Sequence, residues 1–255
     1  MIRTNSAHQV LKCRKGSEQF AVKKYHVADN MEALKTCFRE AALLCRLKPP
    51  AIVEVVAMFE DADDKSVCIQ MPFYEHGQID QWIEACLPRW DEVRRVLLQV
   101  SEAISFLHDS HIVHGDIKPA NILIGSDQRG RLTDYDISVD LSTRTSSMYA
   151  AKSHRYGHTA GFEAPELMAT GNTYQTDLWS FGATIKFPVI RDSCCRGDGR
   201  QDTDVNNLIA CLQRHNPQDR ITASMMKKHA FFNAILKPNR HESVRECSIA
   251  GSEGC

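Results

Sequence analysis

Over residues 90–109 the apolar side chains Val93, Val96, Leu97, Val100, Ile104 and Leu107 recur at three- and four-residue intervals. They form one stripe along a long amphipathic helix. A stripe of that length must be covered by several other elements, so the chain has to build a helical layer around it. The sequence upstream reads differently. Residues 8–26, with Val10, Leu11, Phe20 and Val22 on either side of Lys15-Gly16-Ser17, predict two strands and a turn. Leu34, Cys37, Phe38, Ala41, Leu44, Cys45 and Leu47 predict a helix over 31–47, stopped by Pro49-Pro50. Strands are expected over 52–60 and 66–71, separated by Asp61-Ala62-Asp63-Asp64. From residue 77 the pattern turns helical, with further helices expected at 174–186, 204–214 and 222–235. Residues 237–255 carry few large apolar side chains and read as a disordered tail. The expectation is an α+β chain with a small β-rich lobe, a larger helical lobe and a ligand cleft between them.

Composition narrows the function classes. At 43% hydrophobic and 25% charged the chain reads as an ordinary soluble globular protein. Lys+Arg 31 against Asp+Glu 32 leaves a net charge of −1, without the broad basic field of a non-specific nucleic-acid binder. No apolar run approaches the ~18 residues of a membrane span, and Met1-Ile2-Arg3-Thr4-Asn5 lacks an apolar signal core. A cytoplasmic or nuclear location is therefore expected. The ten cysteines contain no CxxC pair, so they read as reduced thiols, the adjacent Cys194 and Cys195 included, rather than as a zinc site.

The chemistry concentrates in His114-Gly115-Asp116-Ile117-Lys118-Pro119-Ala120-Asn121-Ile122-Leu123-Ile124, polar residues set just before a short apolar strand. Asp134 follows, in Leu132-Thr133-Asp134-Tyr135-Asp136. Asp116, Asn121 and Asp134 supply hard oxygen ligands of the kind Mg²⁺ prefers, and Lys118 adds a cation beside them. These are the parts phosphoryl transfer needs, because it depends on positioning and charge neutralisation. Glu40 belongs to the same set. Cys37, Glu40 and Leu44 share one helix face, so the carboxylate points inward and requires a partner. Lys23, on the preceding strand, is the natural one.

Together these segments resemble the eukaryotic protein kinase family over about residues 8–235. The catalytic-loop pattern is met as HGDIKPAN, the metal-binding triplet as Asp134-Tyr135-Asp136, and the lysine strand as Phe20-Ala21-Val22-Lys23. Ala164-Pro165-Glu166, the helix Asp177-Leu178-Trp179-Ser180-Phe181-Gly182, and Arg220 as partner of Glu166 follow in order. The resemblance implies a bilobal kinase domain over 1–236, with the lobes meeting near residues 73 and 74. It implies a serine/threonine kinase of the kind that uses Mg·ATP and acts on protein hydroxyls. Asp116 would be the catalytic base, Lys118 would neutralise the transferring group, and Asn121 and Asp134 would hold the metal. Lys23, paired with Glu40, would meet the α- and β-phosphates. Val10, Ala21 and Leu123 would sandwich the adenine, with Met71 as gatekeeper and the Pro72 and Tyr74 backbones on the adenine edge. Thr159 would bond near Asp116 and Lys118, and Leu44, Val55, His114 and Tyr135 would stack as an apolar spine.

Four departures stand beside that resemblance. Arg3, Asn5 and His8 occupy the positions of the glycine-rich loop, where glycine lets the backbone approach phosphates. Gly115 replaces the arginine that normally meets an activation-segment phosphate. Asp136 replaces a glycine. Only 38 positions separate Gly182 from Arg220, so a substrate-docking region is shortened. Ser138, Ser142, Thr143, Thr145, Ser146 and Ser147, near Arg144, Lys152 and Arg155, read as a solvated flexible loop rather than as a phosphorylation switch. The departures keep a pseudokinase scaffold as the alternative. A small-molecule phosphotransferase, similar in its HGD, Asn and DxD spacing, is disfavoured by Lys118, Ala164-Pro165-Glu166 and Arg220.

Overall fold

The computed structural model describes residues 3–4, 8–27, 30–47, 51–142, 159–194 and 199–236. The apolar alternation of the first segment folds as a hairpin. Strand β2 (His8–Lys15) pairs antiparallel with β3 (Glu18–His26), turning at Gly16 with φ +62°. Adding β1 (Arg3–Thr4), β4 (Ala57–Asp61) and β5 (Ser66–Pro72) gives a five-stranded antiparallel sheet in the order β1-β2-β3-β5-β4. Its register sets Lys23 between Val10 and Ile69, and Ala21 beside Met71.

Helix α1 (Met31–Arg46) is capped by the Asn30 side chain, which accepts from the Ala33 amide. It buries Cys37, Glu40, Ala41 and Leu44 on one face. The Glu40 carboxylate is thereby turned toward the sheet.

The second part is built on α3 (Trp90–Asp109), which follows α2 (Ile79–Cys86). All six residues of its sequence stripe are fully buried, each contributing about 1.5–3 kcal/mol of hydrophobic stabilisation. Beneath the cleft lie a three-stranded sheet of β6 (Gly77–Gln78), β8 (Ile122–Ile124) and β9 (Gly130–Leu132), and a pair of β7 (Ile112–Val113) with β10 (Val139–Asp140). Helices α4 (Leu167–Thr170), α5 (Tyr174–Lys186), α6 (Pro188–Cys194), α7 (Gly199–Leu212), α8 (Ala223–Met226) and α9 (Ala230–Leu236) complete it. The result is the bilobal α+β kinase fold. Among the described residues no helix is long and apolar enough to cross a membrane.

Some boundaries move. The strand expected over 52–60 begins only at Ala57, because residues 51–53 pair elsewhere. Val53 donates to the Leu132 carbonyl at 3.0 Å and Leu132 to that of Ala51 at 2.9 Å, lacing this segment to β9. The helix expected over 222–235 is split into α8 and α9. His229 Nδ1 accepts from the Phe231 amide at 3.1 Å and Nε2 lies 2.8 Å from Asn207 Oδ1, so side-chain bonds replace helical ones there. The helix expected at 204–214 starts earlier and ends at Leu212. The expectations for the tail 237–255, for Asn5 and Cys195, and for Thr143, Arg144, Thr145, Ser146, Ser147, Lys152 and Arg155 lie outside the described residues. Cys37 and Cys68 are buried free thiols.

Candidate active site

Between the two parts opens a cavity of about 290 Å³ whose lining includes Val10, Ala21, Lys23, Met71, Pro72, Tyr74, Leu123 and Asp134. Those eight are residues that the kinase resemblance assigns to the nucleotide and its metal. Val10, Ala21 and Leu123 supply apolar walls from β2, β3 and β8, and Pro72 and Tyr74 form the strip of backbone joining the two parts. His8 and Lys12 line the same space. Lys12 Nζ sits over the Phe73 ring at 4.0 Å, a cation–π contact at the mouth.

At the inner end of the cavity Lys23 is 3% exposed and meets three carboxylates. Nζ donates to Glu40 Oε1 and Oε2 at 3.0 and 2.9 Å, to Asp134 Oδ1 at 2.8 Å, and to Asp136 Oδ1 at 2.9 Å. Burial by itself would lower the lysine's pKa, but Asp134, Asp136 and Glu40 outweigh it and hold the ammonium well above its ordinary value. Burial raises the Glu40 carboxyl against the pull of Lys23. For Asp136, burial is overcome by Lys23 and His8, which hold the acid well below the usual carboxylate range. Asp134 is lowered in the same way, and its backbone sits in the left-handed region at φ +69°. Aspartate tolerates that conformation better than most side chains, and such strain clusters at functional sites.

The second group lies on the loop between β7 and β8. Lys118 Nζ donates to Asp116 Oδ2 and to Thr159 Oγ1, both at 2.5 Å. Asn121 Nδ2 donates to the Asp116 carbonyl at 2.8 Å and to Oδ2 at 2.9 Å. The Thr159 hydroxyl reaches Asp116 Oδ1 at 3.4 Å. Asp116 faces a small neighbouring cleft with Thr159, Phe162 and Glu163, rather than the cavity itself.

The loop is held from below by Asp177 of α5. Its carboxylate, 1% exposed, accepts from the His114 amide at 2.9 Å and the Gly115 amide at 2.8 Å. His114 Nε2 bonds the Thr133 carbonyl at 3.1 Å while Nδ1 accepts from the Asp116 amide at 3.2 Å, so the ring is used on both sides as a neutral group. Burial lowers its pKa. The His114 and Tyr135 rings pack at a tilt of 53° with centroids 4.7 Å apart; Leu44 is also buried and Val55 half-buried. Arg220 forms a two-pronged ion pair with Glu166, as the motif order implied.

Three features had little signal in the sequence. His8, noted only as a missing glycine, is buried with Nδ1 3.0 Å from Asp136 Oδ2. The Tyr25 hydroxyl lies against Glu40 Oε2 and 2.6 Å from Asp136 Oδ1, sharing its one proton between two carboxylates. Gly115 adopts φ +84°, and a Cβ there would come within 2.5 Å of Asn172 Nδ2 and 3.0 Å of the Ile137 carbonyl. Asn172, whose Nδ2 donates to that carbonyl at 3.2 Å, takes the space an arginine side chain at 115 would enter. His8, Asp134 and Asp136 place three ligand-type atoms within 4.8 Å of one another, but Lys23 already serves both carboxylates as their cation.

The family described as protein kinase domain matches residues 6–207. The chain is 27% identical over 229 residues to "Serine/threonine-protein kinase PLK4" of Nematostella vectensis, covering 81% of this chain and 23% of that protein. It is 26% identical over 231 residues to "Aurora kinase" of Schizosaccharomyces pombe, covering 82% and 62%. To "Probable serine/threonine-protein kinase mkcB" of Dictyostelium discoideum it is 25% identical over 254 residues, covering 91% and 34%. The chain thus spans less than two thirds of the length of each. With the fold, the ordered motifs and the family match over most of its length, this chain belongs to the protein kinase family.

Proposed function

We propose that this chain transfers the γ-phosphate of Mg·ATP to serine and threonine hydroxyls of protein substrates, in the cytoplasm or nucleus. The observation that carries the reading is the meeting of Lys23, Glu40 and Asp134 at the inner end of an apolar cavity, with Asp116, Lys118 and Asn121 on the adjoining loop and Thr159 bonded to it. We take residues 1–236 as the kinase domain, with the smaller lobe ending near residue 73.

The residues fit the nucleotide and its metal. The cavity walls are apolar where a flat base would lie, and the oxygen donors of Asn121 and Asp134 suit a hard cation. Bound there, Mg·ATP supplies the transferable phosphoryl group and a cation that neutralises its charge. Lys23 would hold the α- and β-phosphates while Glu40 keeps its ammonium in place. Val10, Ala21 and Leu123 would grip the base, with Met71 behind it. The Pro72 carbonyl and the Tyr74 backbone would meet its polar edge; proline at 72 loses only an N–H that this contact does not use. Lys118 and Asn121 both bond Asp116 Oδ2, which fixes the carboxylate and makes Oδ1, met at 3.4 Å by the Thr159 hydroxyl, the oxygen that takes a proton from an incoming hydroxyl. Lys118 also carries charge toward the transferring group, and its presence two residues after Asp116 favours the serine/threonine branch.

One observation supports a second reading, a pseudokinase that acts as a scaffold: Asp136 already occupies Lys23. Transfer from Mg·ATP to a mixed Ser/Thr/Tyr peptide pool, with phosphoamino-acid analysis, separates the two. The expected result is phosphoserine and phosphothreonine from the wild type and none from Asp116→Asn. A folded wild-type protein that transfers nothing refutes the enzymatic reading and favours the scaffold.

A further inference from the structure

Two departures from the kinase pattern, His8 for a loop glycine and Asp136 for the glycine of the metal triplet, look like independent losses in the sequence. In space they meet, with His8 Nδ1 3.0 Å from Asp136 Oδ2. A third residue, Tyr25, joins them. It is fully buried on β3, its ring is 5.3 Å from that of His8, and its hydroxyl touches both Glu40 and Asp136. Asp136 is thus a hub. One carboxylate oxygen takes Lys23 and Tyr25, the other faces His8, and its backbone carbonyl accepts from Arg39 Nη2 of α1 at 2.7 Å. A glycine at 136 would keep only the last of these contacts.

We infer that His8, Tyr25 and Asp136 are positioning residues that clamp α1 and the Asp134 segment onto the sheet. The clamp assembles the Lys23–Glu40–Asp134 arrangement before nucleotide binds and without a phosphate on the activation segment. The inference rests on the kinase reading for its catalytic consequence but not for the clamp itself. Gly115 explains why such a clamp has a use here. Asn172 and the Ile137 carbonyl close off the space that a side chain at 115 would enter, so the arginine that the kinase pattern has there finds no room. Helix α1 and the Asp134 segment are tied instead by other side chains of the chain, those of Tyr25, Asp136 and Arg39. Each strand of the clamp is short and enclosed: His8 is 2% exposed, Tyr25 0%, and the Asp136 side chain 17%. Low-dielectric surroundings strengthen such linked hydrogen bonds.

The clamp has a cost that makes it recognisable. Three carboxylates around one lysine leave excess negative charge beside the place for phosphates. Loss of Asp136 should therefore weaken assembly while favouring phosphate binding, a split that a general loss of folding does not produce.

The test is amide hydrogen exchange of the nucleotide-free full chain, read at residues 31–46, on wild type, Tyr25→Phe, Asp136→Gly and the double variant. Tyr25→Phe removes one oxygen from a packed ring and guards against misfolding in the glycine variant. The clamp predicts exchange of 31–46 at least ~10-fold faster in each single variant, with 90–109 unchanged. It also predicts a double variant slower than the product of the two single effects, because the Tyr25–Asp136 bond is lost in each single variant while the Tyr25–Glu40 bond is lost only with Tyr25. At saturating ATP, turnover falls ~10-fold in Asp136→Gly, while its KM for ATP is unchanged or lower. Exchange within twofold of wild type overturns the inference. So does turnover that is unchanged or raised in Asp136→Gly, which would make the residue an obstruction. Exchange is read without catalysis, so a wild type that transfers no phosphate yet shows the loosening of 31–46 would remove the kinase reading and leave the clamp standing.

Discussion

Replacing Lys23 by methionine is the perturbation whose size the structure defines most fully. The ammonium lies within 3.0 Å of oxygens from Glu40, Asp134 and Asp136. No two of those oxygens can then be more than about 6 Å apart, and at an effective dielectric near 20 each like-charge pair costs roughly 3 kcal/mol. Lys23→Met keeps the side-chain volume and removes the cation, so the three acids face one another with side-chain exposures of 2%, 12% and 17%. Proton uptake by one of them relieves part of the repulsion. Glu40 is the acid to take the proton, because burial has already raised it. The remaining loss should match that of breaking a buried ion pair, about 3–5 kcal/mol. For a chain of this size that is a fall in Tm of roughly 6–20 °C. The pH dependence carries a sign. In the variant the folded-state pKa of Glu40 lies further above its unfolded value, so protonation favours the folded form and the deficit shrinks as pH falls. The shrinkage is about 1.4 kcal/mol for each pH unit over which the carboxyl titrates. Urea unfolding of both proteins at pH 8 and pH 5.5 measures it. A deficit under about 1 kcal/mol, or one equal at the two pH values, refutes the account of three acids held by one lysine.

Two further predictions concern the catalytic loop. His114 is buried as a neutral ring with its pKa lowered from 6.5 by burial, so its stabilisation is complete above pH 6.5 and is lost as pH falls below that toward its folded value. His114→Phe should therefore be less stable than wild type at pH 7.5 but lose less on acidification to pH 5.5, as read by denaturant titration; parallel losses would contradict the assignment. Gly115→Arg meets both a positive φ, at about 1–2 kcal/mol, and the Asn172 side chain, with overpacking at about 1–3 kcal/mol. A total of about 2–5 kcal/mol, reduced when Asn172→Ala is added, is expected in the same assay; a neutral Gly115→Arg would show that the backbone can be rebuilt for arginine.

What was legible in the sequence follows from where each signal resides. The α3 stripe and the inward face of Glu40 are local patterns with a helical period, and the Asp116-to-Asn121 loop is a short contiguous run of polar residues, so each could be read without knowing the folded chain. Glu40 is the clearest case: its helix position alone turned it inward and so demanded a cation. The misplaced strand start at residue 52 failed for the opposite reason. Nothing local in residues 52–60 marks where the strand begins, because residues 51–53 pair with Leu132, 79 or more positions away. His8, Tyr25 and Asp136 are joined only through contacts between residues 8, 25 and 136, and no local period marks them. Two of the three were visible as departures, but that they compensate one another is a property of the folded chain. Tyr25 had one faint mark, an aromatic with a polar end two residues after Lys23, on the same face of β3.

The most direct test of the account compares binding with chemistry in a single experiment. Mg·ATP occupancy is measured by calorimetry on wild type and Asp116→Asn, and single-turnover γ-phosphate transfer to a serine/threonine peptide is then followed at matched occupancy. The account predicts occupancy equal within twofold and a transfer rate lower by ~10²–10⁴ in the variant, the span of a lost general base. Equal transfer rates would remove Asp116 from the chemistry, and no transfer by a fully occupied wild type would contradict phosphoryl transfer itself.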